Sequence, residues 1–257
     1  MGDGDLADLK SIELLGVRID NVDMPAALAA VGEFIRSRTP RQVVTADASC
    51  LVLARKDGEL RDIVNSADLV TPDSVGILWA ARLKGMPLGE RVSGVDMVTL
   101  LCEKAGRSGH RVFLLGSAPG VAEVAAKNLR QRYPDLVVAG THHGYFAPHE
   151  TPGVVAKIRG AAPDILFVAL GIPRQEKWIR RHLQELRVPV CIGVGGSFDV
   201  ISGRVRRAPK WMQRHGLEWV FRLVSNPRKI GKIMTLPRFV AQVLWSQIAD
   251  VLARNRG

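Results

Sequence analysis

Three polar side chains sit where two apolar runs end. Thr45 and Asp47 follow Gln42-Val43-Val44, and Asp73 follows Leu69-Val70-Thr71-Pro72. A carboxylate held at such a junction can take the proton of a hydroxyl nucleophile, which is general-base chemistry. An isolated Asp73-Ser74 pair also reads as a helix cap, with the carboxylate accepting from backbone N–H groups. Thr45 and Asp47, at the end of a different run, favour a site. Gly116-Ser117-Ala118-Pro119-Gly120 follows a third apolar run. Its N–H groups and the helix behind it suit a phosphate, although a plain turn fits as well. Gly193-Val194-Gly195-Gly196 permits close approach of a ligand to the backbone. Asp199, three residues on, can accept hydrogen bonds from a base edge.

Other polar groups carry two readings each. Tyr145 and Phe146 offer a stacking face or simply fill core. Arg91, Gln175 and Lys177 lie beside helix starts, where polar residues without a special role are common. His142 and His143, adjacent at a strand end, are expected on opposite faces and therefore not to share a metal. The Asp-x-Asp at Asp3-Gly4-Asp5 lies in the polar N-terminal segment, away from these loops.

Positioning such groups requires a scaffold, and the pattern supplies one. Strands are predicted at Gln42–Thr45, Leu69–Thr71, Arg111–Leu115, Val137–Thr141, Ile165–Ala169 and Val190–Val194. Their apolar character without alternation implies burial on both faces of a parallel sheet. Helical spacing follows at Ala48–Lys56, Ser74–Lys84, Val121–Tyr133 and Arg174–Leu186, giving an α/β fold with helices covering the sheet. Ligands of open α/β sheets bind beyond the carboxyl ends of the strands. Thr45, Asp47, Asp73, Gly116, Ser117, Gly171, Gln175 and the Gly193–Ser197 turn should therefore converge.

Composition divides the chain at about residue 203. Of a formal net charge of +11, residues 204–257 carry +10: twelve Lys and Arg against Glu218 and Asp250. Trp211, Trp219, Phe221, Phe239 and Trp245 are interleaved with these cations. Helices are expected at Pro209–Val224, Pro227–Met234 and Leu236–Ala253, each opened or preceded by proline. A basic, aromatic appendage of this kind meets something anionic. Nucleic acid is one such polyanion, but no RRM, KH or zinc-finger signature is present. A nucleotide-dependent oxidoreductase is disfavoured, because Gly116–Gly120 lacks the G-x-G-x-x-G spacing and its downstream acidic partner. Cys50, Cys102 and Cys191 lie in apolar stretches without metal-ligand spacing and read as reduced core residues. The first ten residues lack the pattern of a signal peptide, and no apolar stretch is long enough to span a bilayer, so a cytoplasmic protein is expected.

The ordered motifs together resemble one family. Thr45-Ala46-Asp47, Pro72-Asp73, Arg91-Val92-Ser93-Gly94-Val95-Asp96, Phe113-Leu114-Leu115-Gly116, Gly171-Ile172-Pro173-Arg174-Gln175-Glu176-Lys177-Trp178, Gly193-Val194-Gly195-Gly196-Ser197-Phe198-Asp199, Arg207-Ala208-Pro209 and Gly216-Leu217-Glu218-Trp219 are similar to the WecG/TagA/CpsF glycosyltransferases. The resemblance spans residues 12 to 240 or so. It implies a Rossmann-like core, residues 1–203, followed by a helical appendage, residues 204–257, that associates with a membrane. It also implies an inverting, metal-independent transfer of a sugar, often N-acetylmannosamine, from a UDP donor to a polyprenyl-diphosphate-linked acceptor. The transfer would occur on the inner membrane face and feed teichoic acid, enterobacterial common antigen or exopolysaccharide. Glucosyl and uronosyl donors occur in the family too, and a homo-oligomer is compatible with it. By this resemblance Asp73 is the base and Thr45 the site threonine. Arg91 and Gln175 are polar ligands, while Tyr145 and Asp199 fall where the nucleotide is expected. Without a metal clamp, Arg222 and Arg228 of the appendage would stabilise the leaving diphosphate. Asp47 and Ser74 depart from the Asn and Gly of many members.

Overall fold

In the computed structural model, residues 10–209, 211, 212, 218, 220, 221 and 235–254 are described. Six parallel strands form the sheet: β3 (Arg41–Ala46), β4 (Leu69–Pro72), β5 (Arg111–Gly116), β6 (Val137–His142), β7 (Ile165–Ala169) and β8 (Val190–Gly193), in the order β4-β3-β8-β7-β5-β6. Every predicted strand is present, with ends within one residue of those expected. The α/β class read from the sequence therefore holds.

Alternate residues of the central strands face opposite helical layers. Val43, Val112, Leu114, Phe167 and Ile192 pack with α1 (Met24–Ser37), α5 (Gly94–Ser108) and α6 (Val121–Arg132). On the other face, Phe113, Leu166, Val168 and Cys191 meet α7 (Thr151–Ala161) and α8 (Arg174–Leu186). Val44, Ala46 and Val70 meet α2 (Ala48–Ala54), α3 (Gly58–Asn65) and α4 (Val75–Leu83). Cys50, Cys102 and Cys191 are free and buried, as expected.

Two features depart from the expectation. β6 is not buried on both faces; it is an edge strand, Val137 is 40% exposed, and Gly140 lies against the Phe113 ring. An antiparallel hairpin, β1 (Ser11–Leu14) and β2 (Val17–Asp20), precedes the sheet. Its two-residue turn, Leu15-Gly16, has positive φ at both positions, a hairpin turn for which Asn-Gly is the usual sequence signal. Leu-Gly carries no such signal. From this hairpin the Asp20 carboxylate accepts from Val70 N at 2.8 Å, satisfying a donor on the outer edge of β4.

The C-terminal α10 (Thr235–Arg254) lies on the body, placing Phe239 and Val243 in the cluster formed with α2 and α4. Gln247 Nε2 donates to Leu83 O. The expected Pro227–Met234 helix and most of Pro209–Val224 lie outside the described residues.

Candidate functional site

Asp73 leaves β4 with its N–H donated to Ala46 O at 2.7 Å, which fixes it beside the end of β3. It does not cap the next helix. That task falls to Ser74, whose hydroxyl accepts from Ile77 N. Arg91 donates from Nε to Asp73 O at 3.1 Å and holds Nη2 3.7 Å from Asp73 Oδ1. Arg91 Nη1 reaches Glu218 Oε2 at 2.8 Å, so one guanidinium lies between the carboxylate and the C-terminal segment.

Gly94 opens α5 directly opposite. A Cβ placed on it would lie 3.2 Å from Asp73 Oδ2, 3.4 Å from Thr45 Oγ1 and 3.6 Å from Ser197 Oγ. Three oxygens from the ends of β3, β4 and β8 therefore surround one point. Thr45 donates its hydroxyl proton to Gly193 O at 2.7 Å, and Ser197 donates to Val194 O at 2.6 Å. Ser197 was not singled out in the sequence as a side chain; its position after Gly195-Gly196, within the expected turn, was the available signal.

Behind this point the chain returns through Arg207. Its fork binds both oxygens of Asp96, in the first turn of α5, at 2.5 and 2.6 Å. Burial works against the Asp96 charge, but the Arg207 fork outweighs it and holds the carboxyl below the ordinary aspartate range. Arg207, counted in the sequence among the cations of the tail, is thus already paired.

Gln175 is buried, and its hydrogen bonds run to neighbouring groups of the protein. Its Oε1 accepts from Gly171 N at 3.2 Å and Gly195 N at 3.0 Å, and its Nε2 donates to Glu176 Oε1 at 2.8 Å. Gly171 has φ +79° and Gly195 φ +53°, conformations that favour glycine. Gly196 precedes the short α9 (Ser197–Ile201) as its N-cap. Asp47 caps α2 by accepting from Cys50 N at 2.9 Å, and it also accepts from the Ser49 hydroxyl. Asp199, in α9, has Arg204 Nε at 3.9 Å. Lys177 is held by Asp57, the N-cap of α3, and by Glu59 in its first turn.

Gly116, Ser117 and Tyr145 make a neighbouring group at the ends of β5 and β6. Ser117 N donates to Ala169 O and Ser117 O accepts from Gly144 N. The Ser117 N–H expected to serve a phosphate is therefore engaged by the sheet. Tyr145 is 73% exposed and keeps its ring face open, whereas Phe146 is core. His142 and His143 do not point apart: their ring centroids are 4.7 Å from each other, because His143 has already left the strand. Among the described residues, no group of three or more His, Cys, Asp or Glu is placed to hold a metal ion. Arg222 and Arg228 lie outside the described residues.

Comparison with known proteins bears on what these loops serve. Residues 12–251 match the model of the glycosyl transferase WecG/TagA/CpsF family. A Bacillus spizizenii protein named N-acetylglucosaminyldiphosphoundecaprenol N-acetyl-beta-D-mannosaminyltransferase is 36% identical over 215 residues, covering 84% of this chain and 83% of its own. Proteins of the same name from Bacillus subtilis and Staphylococcus aureus are 34% identical over 211 residues and 31% identical over 234 residues. These alignments cover 82% of each chain for the former, and 90% of this chain and 91% of the relative for the latter. With the family match spanning both the Asp73 loop and the C-terminal segment, and with these relatives over most of the chain, the chain belongs to the WecG/TagA/CpsF family of glycosyltransferases.

Proposed function

We propose that this protein moves N-acetylmannosamine from a UDP-linked donor to the N-acetylglucosamine of an undecaprenyl-diphosphate-linked acceptor, with inversion and without a metal ion. The names of the relatives support the sugar and the acceptor. The observation that carries the mechanism is the Asp73 carboxylate, left out of capping and facing the Thr45 and Ser197 hydroxyls across Gly94. In one displacement the acceptor hydroxyl forms a bond to the anomeric carbon as the bond to the diphosphate breaks. The electron pair leaves on UDP, and the hydroxyl proton passes to Asp73. Arg222 and Arg228 are assigned to the departing charge. The test supplies the full chain with UDP-N-acetylmannosamine and a prenyl-diphosphate-linked N-acetylglucosamine, with UDP-glucose and UDP-glucuronate in parallel. UDP release that requires both N-acetylmannosamine donor and acceptor is expected. Release from none of the donors, together with no binding of UDP, would overturn the reading.

A lipid-linked acceptor requires work at a membrane surface. No helix among the described residues is long and apolar enough to cross a membrane. Peripheral binding at the inner face is supported by α4 and α10, which touch: α4 and its C-terminal turn expose Trp79, Leu83 and Met86, and α10 exposes Leu244, Trp245 and Ile248. Such apolar side chains beside Arg82 and Arg238 suit an anionic interface. Trp245→Ala is expected to weaken association with anionic vesicles by about 2 kcal/mol, measured by sedimentation at low salt. Failure of the natural protein to sediment with those vesicles removes the membrane role.

A further inference from the structure

Glu218 is one of two acids in a tail of twelve cations, and it turns toward the core, with Oε2 2.8 Å from Arg91 Nη1. The side chains of Arg91 and Glu218 are only 18% and 15% exposed, so the pair escapes much of the screening that makes surface ion pairs weak. Arg91 is also the guanidinium whose Nε donates to Asp73 O and whose Nη2 lies 3.7 Å from Asp73 Oδ1. A second ion pair joins the same two parts of the chain in the opposite sense. There a cation of the tail, Arg207, gives its fork to a carboxylate of the core, Asp96. The charges of Glu218 and Asp73 reach Arg207 as well, and that of Arg91 reaches Asp96.

Among the described residues these five groups form one cluster, in which two guanidinium groups face three carboxylates. With Glu218 in place the cluster is net negative and repels a further anion. Once Glu218 is withdrawn the charges balance, and Arg91 Nη1 has donors to give. A guanidinium meets a phosphate oxygen in the geometry it uses for a carboxylate. The Glu218 carboxylate and a diphosphate oxygen therefore suit the same donors. Exchanging one for the other leaves no shielded cation without a partner, which is the costly outcome when such a pair is simply broken.

We propose that Glu218 is an internal competitor for the anionic half of the donor: its carboxylate occupies the Arg91 donors that a diphosphate takes, donor binding displaces it, and the exchange sets donor affinity. The engaged guanidinium is a matter of geometry; its claim by a diphosphate rests on the reading above.

Calorimetric titration of the full chain with UDP and, separately, with inorganic pyrophosphate reads the competition without turnover. Glu218→Gln keeps the size of the side chain and removes its charge. It is expected to bind both probes about tenfold to a hundredfold more tightly, the range of one charge-assisted hydrogen bond. Glu218→Ala should move in the same direction and guards against a defect peculiar to the amide. Uridine, which carries no phosphate, should bind the natural protein and both variants alike. In an Arg91→Gln background the gain from Glu218→Gln should vanish, because the group competed for is gone. Equal, weaker or absent binding of pyrophosphate in both Glu218 variants overturns the proposal, and so does a gain that persists without Arg91 or is shared by uridine. A residue that merely steadied Arg91 for the ligand would give the opposite sign, a loss of affinity. Tighter pyrophosphate alongside no binding of UDP to any form would count against the nucleotide-linked donor and leave the competition standing.

Discussion

Asp73→Asn is expected to lower transfer by about 10²- to 10⁴-fold while leaving UDP affinity within roughly twofold. The substitution keeps the shape of the side chain, the bond from Asp73 N to Ala46 O and the contact of Arg91 Nε with Asp73 O, because these use the backbone. The capacity to take a proton disappears, together with the negative charge that faces Arg91 Nη2. Because Ser74 caps α4, helix stability should be nearly unaffected. UDP release measures turnover, and calorimetry measures binding. Unchanged turnover would remove Asp73 from the base role. Lost UDP binding with proportionate loss of turnover would instead place it in donor binding.

Gly116→Ala should destabilise the fold by roughly 2–6 kcal/mol, combining strained backbone with overpacking. Gly116 has φ +132°, and a Cβ there would lie 2.4 Å from Ala169 O and 2.5 Å from Ala169 C. The obstacle is the backbone of β7, which pairs with β5 at this residue and cannot swing aside as a side chain would. At this chain length the loss corresponds to a Tm lower by roughly 10 °C, readable by thermal unfolding. An unchanged Tm would return Gly116 to the role expected from sequence, a glycine kept for close approach of a phosphate.

The sheet was legible because β3, β4, β5, β7 and β8 are buried on both faces, so unbroken apolar runs mark them. β6 was located for its apolar residues but misjudged in burial, since a short sequence does not show which strand ends at an edge. The β1–β2 hairpin passed unread because its Leu15-Gly16 turn carries a large apolar side chain at positive φ. Within the site, Thr45 and Asp73 were recognisable from their places at strand ends. Asp47 occupies such a place too, yet its carboxylate is turned back to α2. Strand ends and helix caps coincide in this fold, and only the direction of the side chain separates them. Gln175 was read from its place at a helix start, which does not show that its amide is bonded between the loops after β7 and β8. Arg207 shows the same limit for charge, since counting cations does not reveal which one folds back onto Asp96.

The hydroxyls beside Asp73 have a consequence for selectivity. Thr45 and Ser197 have given their hydrogens to the carbonyls of Gly193 and Val194, so toward a ligand they present lone pairs, as does the Asp73 carboxylate. A group entering among these oxygens has to bring hydrogens of its own. Sugar hydroxyls and an acetamido N–H do; a phosphate oxygen brings only more negative charge. On the proposed reaction, the polarity of this small enclosure would sort the two halves of a UDP-linked sugar, drawing the carbohydrate toward the oxygens and leaving the diphosphate to cations such as Arg91 at its edge.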